Sequence, residues 1–365
     1  MPMVPSPLRV RLLAAMLAGA TPVFAATAQE AARSPVAAIE ALAREFDRHP
    51  LLMFGEVHRS ATQHAFFAEL MRDPRFICRV DDIVVEFGNA RLQPVVDAYV
   101  AGDDVDLAEL QAAWRETAVP FAWNSPVYAA FYAAARDVNL SHRCAHPLRI
   151  VLGDPPLDWA KIDSARALSA YADRDAALVA TVEREVLAKR RTGWLVAGQL
   201  HAVRALPASE GDGPDATVAQ LIERRHPGLL ACVSPVPSKA AAVRLGLGAA
   251  PAFADVRAGA GELSLANFGL IAPGWKVGLV QRDGRPVWEV QAAPDWPSIG
   301  ATTDAVLYLG DDVAYAFPSP TVYLEPHYQQ ELRRRIGIIR AWNGQDFMPV
   351  LDDLLRAARE PAPDS

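Results

Sequence analysis

Apolar runs of four to six residues alternate with helical stretches along most of this chain, which predicts an α/β fold. The expected architecture is a largely parallel central sheet with helices on both faces. Two further observations support it. The apolar runs are continuous rather than alternating, as in strands buried on both sides, and most of them close on a glycine. Glycine, or the residue just after it, is then followed by a side chain capable of chemistry.

The elements follow in order. Ser34-Pro35 starts a helix by N-cap and N1 preference, and Ile39, Leu42, Ala43 and Phe46 keep helical spacing up to His49-Pro50. Residues 51–54 form a first strand that stops at Gly55. Glu56 and His58 follow, and then Ser60 and Gln63 form an S-x-x-Q capping box for a helix over 60–72, with Phe66, Phe67, Leu70 and Met71 as its apolar stripe. Asp82-Ile-Val-Val-Glu86-Phe-Gly88 is the second strand. Helical patterns cover 92–100 and 107–117, an aromatic loop covers 119–125, and Ser125-Pro126 caps a helix carrying Tyr128, Phe131 and Tyr132.

A third strand runs from Arg149 to Asp154, and a long charged helical region is expected over 162–191. Gly193-Trp-Leu-Val-Ala-Gly198-Gln-Leu-His201 is a fourth strand that ends in a histidine. A helix over 217–225 and a fifth strand over 229–233 follow. Residues 237–296 are rich in Ala, Gly and Pro, with weak periodicity and no clear element. A last core strand lies at 305–310, and a helix at 325–342. The domain organisation is a signal peptide over 1–28, an α/β domain over 34–310 and a C-terminal helical extension of that domain over 311–360.

The first residues read as a targeting segment. Arg9 and Arg11 precede the apolar run 12–20, and Val23-Phe-Ala25 and Ala26-Thr-Ala28 offer two A-x-A-like cleavage sites. The mature protein is therefore expected to be exported, periplasmic or secreted, with no transmembrane segment after signal removal. Export permits disulfides. Cys78 and Cys144 each lie a few residues before a strand, at one edge of the sheet, and are predicted to pair; Cys232, inside its strand, stays reduced. A net charge of −7 over 365 residues, without a basic run, gives no electrostatic reason to expect nucleic acid. The oligomeric state has no signature in the sequence.

In a parallel sheet the strand ends lie along one edge, where ligands bind. Glu56, His58, Glu86, Asp154 and His201 all fall there. Two segments also share the form G-x-x-H, Gly55-Glu-Val-His58 and Gly198-Gln-Leu-His201. Two neutral imidazoles with one or two carboxylates suit Zn²⁺, Mn²⁺ or Co²⁺ with a position open to water. Without a metal, a His–Glu pair can activate water as general base. The expected metal set is His58, Glu86 and His201, with Glu56, Glu86 and His58 as catalytic candidates. Asp154 is as easily a turn former as a site residue. His64 stands either behind the site or in the core; Arg59 contacts a substrate carboxylate or solvent; Phe121, Trp123 and Tyr128 line a pocket or fold into the core. His142-Arg-Cys144-Ala-His146 precedes a strand and so belongs to the opposite edge. No G-x-S-x-G, H-E-x-x-H, P-loop or dinucleotide-binding glycine fingerprint occurs.

The motifs at Gly55–His58, Glu86 and Gly198–His201 resemble those of a superfamily. It groups erythromycin esterase-like enzymes, ChaN-like haem-binding uptake proteins and Tiki-type proteases. The resemblance spans 51–309 in order of elements and is sharp only at these motifs. By resemblance to the Tiki type, His58, Glu86 and His201 hold a divalent metal for peptide cleavage. By resemblance to the esterases, whose motif Gly-Glu-x-x-His is one residue longer, Glu56 or Glu86 acts with His58 on water. By resemblance to ChaN-like proteins, the cofactor is haem or iron. The resulting expectation is a metal-dependent hydrolase of a small-molecule or peptide substrate, with haem or iron uptake as the alternative.

Overall fold

The strand beginning at Leu51 occupies the middle of the sheet, and its side chains show why a continuous apolar run was needed. In the computed structural model, which describes residues 35–204, 216–236, 238–257, 277–282, 285–290, 299–311 and 313–359, nine strands are present among the described residues: β1 (Leu51–Glu56), β2 (Asp82–Asn89), β3 (Arg149–Asp154), β4 (Gly193–Gly198), β5 (Leu230–Pro235), β6 (Ala252–Asp255), β7 (Val277–Arg282), β8 (Arg285–Val290) and β9 (Ala305–Tyr308). Seven of them form one sheet in the order β3-β2-β4-β1-β5-β9-β6, while β7 and β8 pair as a separate hairpin. Every pairing in the large sheet is parallel except β6 with β9. The protein is an α/β protein with a mostly parallel sheet flanked by helices, as the sequence predicts.

Successive strand residues point to opposite faces, so a doubly covered sheet needs apolar side chains at every position. Leu52, Phe54, Ile83, Val85, Phe87, Trp194 and Val196 pack on one face, with side chains from helices Pro35–Glu45, Ala61–Arg72 and Pro126–Leu140. Leu51, Met53, Val84, Leu195 and Ala197 pack on the other, against helices Arg174–Val182 and Val218–Arg225. The edge strand β6 and the short helix Lys239–Arg244 add a smaller cluster around Val236 and Leu245. The C-terminal helices Pro326–Asn343 and Met348–Ala357 bury Tyr328, Leu332, Ile336 and Leu351 with Phe121 and Tyr323. They thereby brace the aromatic loop from outside.

Several local expectations need correction. β1 does not stop at Gly55 but continues through Glu56, so the carboxylate is part of a fully buried strand. Ser60 does cap the next helix, accepting from the Gln63 amide. The Gln63 side chain, however, does not return to Ser60: it accepts from Val57 N at 2.7 Å and donates to Gly55 O at 2.9 Å, bridging strand and turn. The helical region over 162–191 is broken into Ala165–Ser169, Arg174–Val182 and a π turn Glu183–Leu187. Ser164 and Asp173 cap the amides of Ala167 and Ala176, and each cap starts a new helix. β2 runs on to Asn89, past Glu86.

Cys78 and Cys144 form the expected disulfide, with Cα atoms 5.1 Å apart, and Cys232 is free and buried. Among the described residues no helix is long and apolar enough to cross a membrane. The expected signal segment over 1–28, most of 258–298 and the tail beyond 359 lie outside the described residues.

Candidate active site

β4 lies between β1 and β2, and Glu56 pairs directly with Gly198 in the β1–β4 register. Everything at the site follows from that placement. Glu56 points to the same face as Leu52 and Phe54, toward helices Ala61–Arg72 and Pro126–Leu140. Glu86 points to the opposite face, toward the helix that starts at Arg174. Two carboxylates from two faces of the sheet therefore meet around the end of one strand.

On the first face, the Glu56 carboxylate is 1 % exposed and fully engaged. Its Oε2 lies 2.7 Å from His58 Nδ1, and its Oε1 lies 2.9 Å from His64 Nε2 and accepts from the Tyr128 hydroxyl at 2.9 Å. Burial alone would raise the Glu56 pKa, but the hydrogen bonds and charges of His58 and His64 outweigh it and hold the group ionised. Burial and the Glu56 charge keep the Tyr128 phenol protonated, so it donates. Burial pulls the His58 pKa down, and the hydrogen bond and charge of Glu56 more than offset this, leaving it raised. The His58 side chain is 45 % exposed, so one side of the ring remains open to solvent. Trp123 stands edge-on to the ring, with centroids 4.8 Å apart.

The turn after His58 is made by Arg59 in the left-handed region, φ 65°, which is uncommon for a side chain with a Cβ. Its amide donates to the Tyr128 oxygen at 3.2 Å, and its guanidinium donates to Phe121 O at 2.9 Å and Ala122 O at 3.5 Å. Arg59 thus ties the aromatic loop to the end of β1. Asn124 donates to the hydroxyls of Tyr323 and Tyr328, and Ser125 donates to Ala316 O, which fixes the loop from the other side.

On the second face, Glu86 Oε2 accepts from Gly198 N at 2.6 Å, while Oε1 lies 3.0 Å from an Arg174 nitrogen and 3.2 Å from His201 Nε2. Burial would raise its pKa; His201, Arg174 and His58 hold it well below the usual carboxylate range. Arg174 also bonds Asp154 at 2.6 Å, and Asp154 accepts from Ala118 N at 3.3 Å. Asp154 is therefore neither a helix cap nor a turn former but the second carboxylate of a buried arginine. His201 Nδ1 lies 2.6 Å from Asp175 Oδ1. Burial opposes its charge, yet the flanking Glu86 and Asp175 push its pKa up to about 10.

Gly198 joins the two halves. A Cβ there would sit 2.7 Å from His58 Cε1, 3.0 Å from His58 Nε2 and 3.3 Å from Glu86 Oε2. Only a residue without a side chain lets the His58 edge and the Glu86 carboxylate face each other across the strand end.

Most of the sequence-predicted side chains are thus brought together: Glu56, His58, His64, Glu86 and His201, with Trp123 as a wall. Arg59 is committed to main-chain carbonyls. His142 and His146 lie at the opposite edge, around the disulfide and the start of β3. Sequence reasoning missed the bond that Tyr128 makes to Glu56, and missed Arg174 and Asp175 altogether. Tyr128 sits in an ordinary helical stripe and the other two in a charged helical run, and neither pattern marks a site.

As the side chains stand, no group of three or more His, Cys, Asp or Glu among the described residues is arranged to hold a metal ion. In this arrangement His201 Nε2 donates to Glu86 Oε1 at 3.2 Å. Two imidazoles and a carboxylate are nonetheless the kinds of donor that divalent ions take. Each imidazole gives Nδ1 to a carboxylate, Glu56 or Asp175, and turns Nε2 toward Glu86, which is how metal-bound histidines are oriented from behind.

No family model and no curated protein matches the chain. Among solved structures, it is similar to a crystal structure of a Bacillus cereus protein at a TM-score of 0.47 and 10% identity, over 77% of this chain and 94% of that one. A second structure, titled bacterial protein toxins, aligns at a TM-score of 0.33 and 21% identity, over 50% of this chain and 34% of that one. Neither likeness is close enough to carry an argument about function.

Proposed function

We propose that this chain is a hydrolase of ester or peptide bonds that works outside the cytoplasm, with His58 as general base. One observation carries the reading: two histidine–carboxylate pairs, His58 with Glu56 and His201 with Asp175, face a single buried glutamate across Gly198. The Cys78–Cys144 disulfide supports an oxidising compartment.

His58 Nε2 takes the proton of an attacking water, while Glu56 fixes the ring through Nδ1 and stabilises the imidazolium that forms. His64 and Tyr128 hold Glu56 in place. His201, a cation at neutral pH in this arrangement, supplies positive charge and a proton where a substrate oxygen becomes anionic. Arg174 and Gly198 N orient Glu86, and Trp123 closes one side to water. A divalent ion (Zn²⁺, Mn²⁺ or Co²⁺), if present, would be held by His58, Glu86 and His201 with both rings neutral; it would supply a water of pKa lowered toward ~7 and a polarised carbonyl, and His58 would then serve as ligand in place of base. The haem alternative draws less support, because the cleft beside His58 measures about 190 Å³, small for a porphyrin.

The test is hydrolysis of p-nitrophenyl acetate and of a fluorogenic peptide library, with metal content measured on protein purified without chelators. Wild-type turnover that His58→Ala abolishes and His146→Ala leaves intact is the expected result. No turnover, together with stoichiometric haem uptake and a Soret band lost in His58→Ala, would replace the hydrolase with the haem-binding reading.

A further inference from the structure

Beside the strand ends lies a cleft that the mechanism does not use. Its walls include Val57 and Gln199, the chain neighbours of His58 and Gly198, together with Pro235, Leu307, Leu309 and Val313. Among the described residues no charged side chain lines it. Three of the polar side chains on its wall are already engaged: Ser60 Oγ accepts from Gln63 N, the Gln63 amide bridges Val57 N and Gly55 O, and Thr62 Oγ1 accepts from Ala314 N. An entering group therefore finds apolar contact and few unmade hydrogen bonds.

Size narrows the occupant. The cleft holds about 190 Å³, and an apolar cavity of roughly 150 Å³ accepts benzene. At its rim Tyr315 is 52 % exposed, and the neighbouring Phe317 is 66 % exposed. Their rings lie 6.4 Å apart, and the Arg59 guanidinium sits 5.8 Å from the Phe317 centroid. Large aromatic side chains left in water beside a cleft are suited to gripping a flat or branched apolar group. Arg59 links this rim to the His58 turn.

We propose that this cleft is the specificity pocket of the enzyme and takes an uncharged apolar group, phenyl-sized or branched aliphatic, next to the bond that is cut. The assignment rests on the hydrolase reading for its reaction, but not for its binding. It places the recognised group on the β5–β9 side of His58, with the scissile bond between the two histidine–carboxylate pairs.

The experiment compares p-nitrophenyl phenylacetate with p-nitrophenyl acetate, and follows benzyl alcohol binding by ligand-observed NMR. The proteins are wild type, Val313→Trp to fill the cleft, Tyr315→Ala to strip the rim and His146→Ala as control; circular dichroism confirms each fold. Wild type should prefer the phenylacetyl ester by roughly ten-fold or more in kcat/KM, the scale of one or two methylenes in an apolar pocket. Val313→Trp should bring that ratio toward one and abolish benzyl alcohol binding, and Tyr315→Ala should weaken both. Equal use of the two esters by wild type, or unchanged benzyl alcohol binding in folded Val313→Trp, would overturn the proposal. Benzyl alcohol bound by wild type and lost in Val313→Trp, with neither ester cleaved, would uphold the pocket and remove the hydrolase.

Discussion

Glu56 reaches His58 from inside the core: its Oε2 lies 2.7 Å from the ring Nδ1, while its other oxygen is held by His64 and Tyr128. A carboxylate that is buried and bonded three ways cannot turn away, so the ring it grips has one orientation. Glu56→Gln keeps the volume and removes the charge that stabilises the His58 imidazolium. Turnover should fall by roughly 10²–10⁴-fold, the usual worth of general-base catalysis, with the fold intact by circular dichroism. Wild-type rates in this variant would remove the pair from the mechanism.

Gly198→Ala tests the contact between the two halves. The added carbon would meet His58 Cε1 at 2.7 Å, and the half-exposed ring has room to swing outward. The variant should lose about 1–3 kcal/mol of stability at most, the cost of a small overpacking, and most of its activity. A thermal melt beside a rate assay separates the two effects. Unchanged activity would mean that His58 does not act from the position seen.

Arg174 bridges Glu86 and Asp154, both buried. Removing one partner from a buried ion network leaves the other charges uncompensated. Arg174→Ala should cost about 3–5 kcal/mol, far more than truncation of an exposed arginine such as Arg356. Urea unfolding of the two variants gives the comparison, and equal midpoints would contradict it.

The thiols make a simple count. Burial pushes the Cys232 pKa up to about 12, so native protein at pH 8 should not react with a thiol reagent. Unfolding without reductant should expose one thiol, and reduction all three. Three thiols before reduction would show that Cys78 and Cys144 are not joined.

Glu185 links stability to acid pH. Lys189, with Arg149 and Arg184, lowers its pKa from 4.5 to about 2. A carboxylate with a depressed pKa stabilises the folded state above its ordinary pKa, and loses that contribution as pH falls through the folded value. The Tm of wild type should exceed that of Glu185→Gln at pH 7, with the gap closing between pH 4.5 and 2. A gap independent of pH would show that the charge does not matter.

Residue patterns alone determined a good deal here. Continuous apolar runs specified strands covered on two faces, because a half-covered strand would alternate. Glycine and acid at the strand ends marked the edge where Glu56, His58, Glu86 and His201 gather, and the positions of Cys78 and Cys144 before two strands foretold their disulfide. Such features are local, and local backbone physics writes them into neighbouring residues. The tertiary structure decided the rest. Only the strand order puts β4 between β1 and β2, so that Glu56 and Glu86, on opposite faces, meet at Gly198. Only the helix packing shows that Tyr128 holds Glu56 and that Arg174 and Asp175 hold Glu86 and His201. Those three side chains lie in ordinary helical sequence, and their partners are 20 to 88 residues away. Contacts over such separations come from how whole elements pack, and no short stretch of the chain records them.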